Sequence, residues 1–413
     1  MENLITKGIE GLEGLKADQI LKLFIQVAVQ NLYSYAIWRR PNDSKIHFVA
    51  DCSGLEKIIK PDIHTLSPGF LVSPFLNKDN SKTTFIKADL YYVIKDNTIN
   101  SCPFVEGAQD LQTEDFERAV VSLHRKGVAK YTHYNSNGRI IPSQKSDFIS
   151  LVNLAISQID EGNFEKLVPS KVKTIELPDD FNLIDCFYNL CKAYSNTLVS
   201  MIGTPSLGTW LGSSPEILVS MSKEGIFKTV ALAGTQKAPE SLSSPKDIIA
   251  QASWTQKEIE EQALVSRYII NCFKKIRLRE YEERGPKTIL AGNVIHLKTD
   301  YSVDTKAMEF PELPSIMLEL LHPTSAVSGM PREASLEFIQ KNEKFERQLF
   351  SGYLGPVNID EASDIFVNLR CMQILDKQAA IYAGAGVTSC SNPEKEWMET
   401  ELKCETLLNV IQK

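Results

Sequence analysis

The stretch Leu198–Gln236 reads LVSMIGTPSLGTWLGSSPEILVSMSKEGIFKTVALAGTQ. Its strand-like runs, LVSMIGTP, GTWLGSSPEILVSM and GIFKTVALAGTQ, follow one another with Gly, Pro and Ser between them. On either side lie segments with apolar residues at helical spacing: LIDCFYNLCKAYSNT before it, and the long amphipathic TQKEIEEQALVSRYIINCFKKI after it. Other helical runs are Ala17 to Leu32, SDFISLVNLAISQIDEG, LPSIMLELLHP, REASLEFIQKNE and the closing NPEKEWMETELKCETLLNVIQ. TILAGNVIHLKTDYSV, LFSGYLGPVNI, DIFVNLRCMQIL and AAIYAGAGVTS read as strands. Strands and helices come in groups rather than in β-α alternation. That predicts an α+β fold with mostly antiparallel sheets, not a doubly wound parallel one.

The chain has 413 residues, long enough on length alone for two or three domains, and 43% are hydrophobic. The net charge is -7 and Lys and Arg are spread along the chain. A mildly acidic protein without a basic block is a poor match for nucleic acid or anionic membranes. The eight cysteines form no CxxC pair and no zinc spacing, as in proteins of a reducing compartment. No apolar run approaches a membrane span, and the first residues lack a signal-peptide core, so a cytoplasmic protein is expected. Residues 1–145 carry few signatures. YSYAIWRRP and KIHFVAD form a candidate antiparallel hairpin, and TTFIKADLYYVIKD is another β-like run.

Several residues stand where chemistry is conceivable. Lys166, in NFEKLVPSKVKTIEL, sits just inside the start of a strand-like run. Lysines are mostly exposed; a buried one would have a depressed pKa. Glu216, after Ser-Ser-Pro, opens an apolar run. Burial would raise its pKa into the range of a general acid, whereas a strand-end position would leave it a surface carboxylate. Glu258 and Glu261 lie three apart on one helix, Glu396 and Glu399 three apart on another. If the two faces meet, four carboxylates converge, which suits a hard cation such as Mg²⁺. Acidic pairs on amphipathic helices are otherwise solvated faces. Arg370, in a strand-like run, calls for an anionic partner, either a substrate carboxylate or a structural one. Gly384 and Gly386 let a backbone approach a ligand or let the chain turn. His296 and His322 are histidines of the core or of turns unless a site forms around them.

Taken together, GSSPE, ALAGT, HPTSAVSGMPREA, GYLGPV, YAGAGV and EKEWMETELK resemble the chorismate-utilising enzymes, over roughly Asp147 to the C-terminus. The resemblance implies one large α+β domain with antiparallel sheets packed between outer helices. Residues 1–145 would then be a divergent N-terminal part of the same fold, and 146–413 the chorismate-binding catalytic region. It implies one Mg²⁺ bridging the substrate carboxylate, with Glu261 and Glu399 as metal ligands and Glu258 and Glu396 as outer partners. Arg370, Tyr353 and Lys403 match positions that hold substrate carboxylates. Thr235, Gly234, the Gly384–Ala385–Gly386 backbone, Ala326 and His296 match positions around the substrate. One departure is Gln262, where the family often has His after the metal glutamate.

Within the family, Lys166 and Ala326 match the isochorismate synthase branch, and Ala233 stands where the aminodeoxychorismate enzymes often carry a nucleophilic Lys. The Pro169-Ser170 pair instead matches anthranilate synthases. The resemblance therefore implies a Mg²⁺-dependent, reversible conversion of chorismate to isochorismate. Lys166 would be the base for a water attacking C2, and Glu216 the acid for the departing C4 hydroxyl. No glutaminase subunit is expected, and monomer and homodimer are both open. The alternatives are a salicylate synthase, an anthranilate or aminodeoxychorismate synthase component I, and a non-catalytic binding protein. The pathway fed, menaquinone or siderophore, is not legible.

Overall fold

The computed structural model describes residues 9–411 except 97, 103–109, 128–131, 137–139, 240–243 and 292–293. Two nine-stranded sheets dominate. The first runs, in spatial order, Thr98–Ser101, Leu90–Lys95, Ile46–Asp51, Ser34–Arg39, Leu198–Thr204, Gly208–Ser214, Cys371–Ile374, Gln378–Gly384 and Ser170–Glu176. The second runs Glu282–Ala291, Val294–Asp304, Ile226–Lys237, Ile217–Met221, Ser363–Val367, Tyr353–Val357, Gly69–Ser73, Thr83–Lys87 and Lys57–Ile59. Neighbouring strands pair antiparallel, as the grouped strand runs predict. N-terminal strands sit inside both sheets: Tyr35 pairs with Gly203, and Gly69 with Val357.

Three apolar cores show the layering. Trp38, Ile202, Trp210 and Tyr382 of the first sheet meet Phe70, Val72, Leu354 and Phe366 of the second, so the sheets pack face to face. Helices Ala17–Gln30, Asp110–Lys126, Leu183–Ala193 and Pro393–Ile411 cover the outer face of the first sheet. Helices Gln256–Lys275, Leu313–Leu321 and Arg332–Asn342 cover that of the second. The order is helix, sheet, sheet, helix.

Several sequence readings change, DIFVNLRCMQIL and TILAGNVIHLKTDYSV among them, each of which divides into two strands. GTWLGSSPEILVSM is not one strand: Gly208–Ser214 lies in the first sheet and Ile217–Met221 in the second, and Pro215-Glu216 is the crossing. TTFIKADLYYVIKD likewise splits between the sheets at Ala88-Asp89. Alternating apolar residues look alike on both sides of such a crossing, because each sheet has one face in the shared core.

Candidate active site

The chain crosses between the sheets a second time beside Glu216. Strand Ser363–Val367 belongs to the second sheet and Cys371–Ile374 to the first, and Arg370 lies between them with φ 48°. That left-handed conformation is unfavourable for a non-glycine residue and is held by its surroundings. The Val367 N–H donates to the Glu216 carbonyl at 2.9 Å, and the Ser213 N–H to the Arg370 carbonyl at 3.0 Å. An acid and a guanidinium are thus fixed on adjacent crossings, where the sheets part.

They face one pocket with about 770 Å³ of free space, its open mouth included. The pocket also receives Lys166, Gly234, Glu261, His296, Ala326, Gly384, Gly386, Glu399 and Lys403. Eleven of the sixteen residues that the resemblance assigns to the site therefore share one cavity. Lys166 sits on a two-residue strand, Lys166–Leu167, paired with Gly329–Met330. It is 2% exposed, and its Nζ lies 3.9 Å from Glu261 Oε2. Gly386 permits that approach: a Cβ there would stand 3.0 Å from Lys166 Cε and 3.1 Å from Glu261 Oε2.

The pKa shifts sort the groups. Burial lowers the Lys166 ammonium below its ordinary value; Glu261 opposes the shift, and Lys403 and Lys257 reinforce it. Burial pushes the Glu216 carboxyl up to about 8, against the pull of Lys166, Lys403 and Arg370. Lys166 is thereby moved toward a neutral amine and Glu216 toward a neutral acid. Burial also takes His296 down to about 3. Its Nδ1 lies 2.9 Å from the Gly234 carbonyl, which can only accept, so that nitrogen carries the proton. At Glu399, burial is outweighed by Lys403 and Lys257, and the carboxyl falls below its ordinary value. Lys403 Nζ donates to Glu399 Oε1 and to the Gly384 carbonyl, both at 2.7 Å.

Five of the assigned residues do not line the cavity with a described side chain, and two of them, Tyr353 and Glu258, do other work. Tyr353 does not line the pocket: its ring is fully buried against His322, and its hydroxyl meets Thr83 Oγ1 at 2.7 Å. Strand alternation turns it toward the helices covering the second sheet, away from the cleft. Glu258 is a cap: its Oε2 accepts from the Thr255 N–H and hydroxyl, both at 2.6 Å, and its Oε1 from Gln236 at 3.0 Å. The position follows Thr255 by three residues, so the helix terminus claims it. Ala385 packs into a small core with Leu167 and Val387 and reaches the site only through its backbone, which donates to the Pro169 carbonyl. Thr235 pairs with His296 in the sheet, and its side chain lies outside the described residues. Glu396 lies behind the cavity wall, bonded to Lys257 at 2.7 Å.

Three contributors were not anticipated. Lys257 lies between the carboxylates, 3.6 Å from Glu261 and 2.7 Å from Glu396, and these with Glu399 raise its pKa although burial opposes them. The Lys257–Glu261 spacing of four was a visible signal. Arg347 is buried on the pocket wall; it donates to the Val327 and Val168 carbonyls at 2.8 and 2.7 Å and pairs with Glu343. Glu343 in turn accepts from the Ser170 N–H and hydroxyl, both at 2.9 Å, which explains Ser170 structurally. Phe350, stacked on Tyr382 at 5.6 Å, supplies apolar wall.

Glu261, Glu396 and Glu399 offer the hard oxygen donors that Mg²⁺ takes. Glu396 is 1% exposed, and its Oε2 is buried with no hydrogen-bond partner among the described residues. Such an oxygen is costly unless a cation or donor meets it. Among the described residues, no three carboxylates, imidazoles or thiols stand close enough to form a ready metal site. Lys257 and Lys403 supply the positive charge between them. The donor set fits a hard cation by its chemistry, with Lys257 as the competing charge.

The sequence profile described as chorismate binding enzyme matches residues 95–412. The isochorismate synthase EntC of Escherichia coli K12 is 29% identical over 205 residues, 49% of this chain and 51% of that protein. The isochorismate synthase DhbC of Bacillus subtilis 168 is 26% identical over 276 residues, 65% of this chain and 68% of that protein. With EntC, the match thus spans about half the length of the relative. Among solved structures, MenF, the menaquinone-specific isochorismate synthase from E. coli, superposes with a TM-score of 0.73 at 21% identity, covering 97% of this chain and 92% of that one. Anthranilate synthase component I from Streptococcus pneumoniae TIGR4 gives 0.60 at 19% identity, covering 86% and 79%. The profile spans more than half of the chain, and the chain belongs to the chorismate binding enzyme family.

Proposed function

We propose that this protein is an isochorismate synthase, converting chorismate reversibly to isochorismate with Mg²⁺. The observation that carries the reading is the pairing, in one pocket, of a buried lysine moved toward its neutral amine and a buried glutamate moved toward its neutral acid. The Lys166 amine takes a proton from a water molecule, whose oxygen bonds to C2. The two ring double bonds shift round the ring and the C4–O bond breaks. Glu216 gives its proton to that oxygen, which leaves as water. One water enters and one leaves, so the product is an isomer, and exchange with solvent resets both groups. Arg370 and Lys403 stand on the wall as charge partners for the substrate's carboxylates, and His296 presents a neutral ring. Mg²⁺, held by Glu261 and Glu399 with Glu396 behind them, would offset the charge of the ring carboxylate. Water as the nucleophile needs no glutaminase partner. The names of relatives favour this product; one is menaquinone-specific and one vibriobactin-specific, and we take menaquinone as the pathway fed.

The test is incubation with chorismate and Mg²⁺ without ammonia, with products identified by NMR. The expected result is a chorismate–isochorismate mixture whose ratio is the same when approached from isochorismate. Salicylate and pyruvate would instead make the protein a salicylate synthase, and ligand binding without turnover would make it a binding protein.

A further inference from the structure

Gln262 follows the carboxylate Glu261 on helix Gln256–Lys275 and is 3% exposed. Its side chain makes three bonds. Oε1 accepts from the Ala233 N–H at 3.0 Å, and Nε2 donates to the Ala231 carbonyl at 3.2 Å and to Thr299 Oγ1 at 3.0 Å. Ala231 and Ala233 lie on strand Ile226–Lys237 at a place where its ladder is incomplete. Among the described residues, main-chain pairing with Ile217–Met221 joins only Ser220 to Lys228 and Met221 to Phe227, and the longer strand runs on to Lys237. A carbonyl and the N–H two residues later are the pair that one residue of a parallel neighbour would satisfy. The Gln262 amide presents the same acceptor and donor. One residue further on, Gly234 bulges from the ladder with φ 66°, its carbonyl meeting His296 Nδ1.

We propose that Gln262 is a positioning residue of this site: its amide substitutes for a neighbouring strand at Ala231 and Ala233, and so sets Glu261 against the Gly234 bulge and His296. Helix and bulge also meet through Glu258, whose Oε1 accepts from Gln236 at 3.0 Å, and the pocket needs both in register. The required property is one donor and one acceptor on a side chain of this length. Leucine fills similar space with neither, glutamate offers two acceptors to the Ala231 carbonyl, and histidine offers one of each.

The experiment compares Gln262→Leu, Gln262→Glu and Gln262→His for kcat, KM, Mg²⁺ half-saturation, melting temperature and hydrogen exchange of the Ala231–Gly234 segment. Gln262→Leu and Gln262→Glu are expected to lower kcat/KM about 10- to 100-fold, the usual cost of losing an outer partner of a ligand, and to weaken Mg²⁺. Exchange at the Ala233 amide should accelerate in both, and Gln262→His should restore most of each quantity. Wild-type kcat/KM in Gln262→Leu overturns the proposal even if exchange accelerates, since the bonds would then be merely structural. Failure of Gln262→His to rescue overturns it as well. If Gln262→Leu does not fold, Thr299→Val takes its place. A smaller loss of kcat/KM with weakened Mg²⁺ supports the proposal, and unchanged Mg²⁺ half-saturation overturns it. The activity arm rests on the proposed isomerisation: wild-type protein without turnover removes that reading, whereas an active wild type with an equally active Gln262→Leu removes only this one.

Discussion

Two pairs of buried groups at the pocket follow opposite electrostatic rules. Lys166 and Glu216 are buried, and burial outweighs the opposite charges around them and moves both toward their neutral forms. Glu399 and Lys257 are also largely enclosed, yet matched charges hold the first ionised and raise the pKa of the second. Glu396 lies between these cases, raised by burial although Lys257 pulls it down. Burial therefore does not by itself assign a role. Where burial outweighs the nearby charges, a group moves toward its neutral form and can transfer a proton; where the charges outweigh burial, it stays a fixed charge for binding.

The strongest way to break this contrast is Lys166→Ala. Turnover should fall by about 10²- to 10⁴-fold, the usual worth of a positioned base, while chorismate and Mg²⁺ binding measured by calorimetry persists. Retained turnover would remove Lys166 from the mechanism. Next is Glu216→Gln. The acid works only while protonated and its pKa is raised to about 8, so wild-type kcat should decline as pH rises through that value. In Glu216→Gln, turnover should drop by about 10²-fold or more and that alkaline limb should vanish. A variant profile that keeps the limb would assign it to another group.

Lys257→Met probes the second pair. Removing the competing ammonium should tighten Mg²⁺ binding about tenfold. Without Mg²⁺ it should lower the melting temperature by about 2 °C or more, because Glu261 and Glu396 lose their counter-ion. Weaker Mg²⁺ binding would show that Lys257 supports the cation instead of competing with it. Tyr353→Phe is the smallest change. It should leave kcat and KM at wild-type values and cost about 1 kcal/mol of stability through the lost bond to Thr83. A rise in KM would return Tyr353 to the site.

The site was legible where a residue's chemistry and its motif agreed. Lys166, Glu216, Glu261 and Glu399 each stood out as an ionisable group in an apolar or paired setting, and all four line the cavity. It was illegible where local and distant partners competed for the same side chain. Glu258 has the same spacing as its metal-side counterpart, but its own helix terminus takes both oxygens into capping and strand contacts. Arg347 carried only an i,i+4 glutamate as a hint, and its other partners are the carbonyls of Val168 and Val327.

From the sequence alone follow the grouped strands and helices, the antiparallel class and the residue types able to do the chemistry. These depend on local spacing and side-chain identity, which the chain carries wherever it goes. Only the tertiary structure decided that Glu216 and Arg370 occupy neighbouring crossings between two sheets, that Lys257 sits among the carboxylates, and that Tyr353 faces away. Those outcomes depend on which segments, often more than a hundred residues apart, pack together. Packing decides which buried charges find partners and which are left to change their protonation.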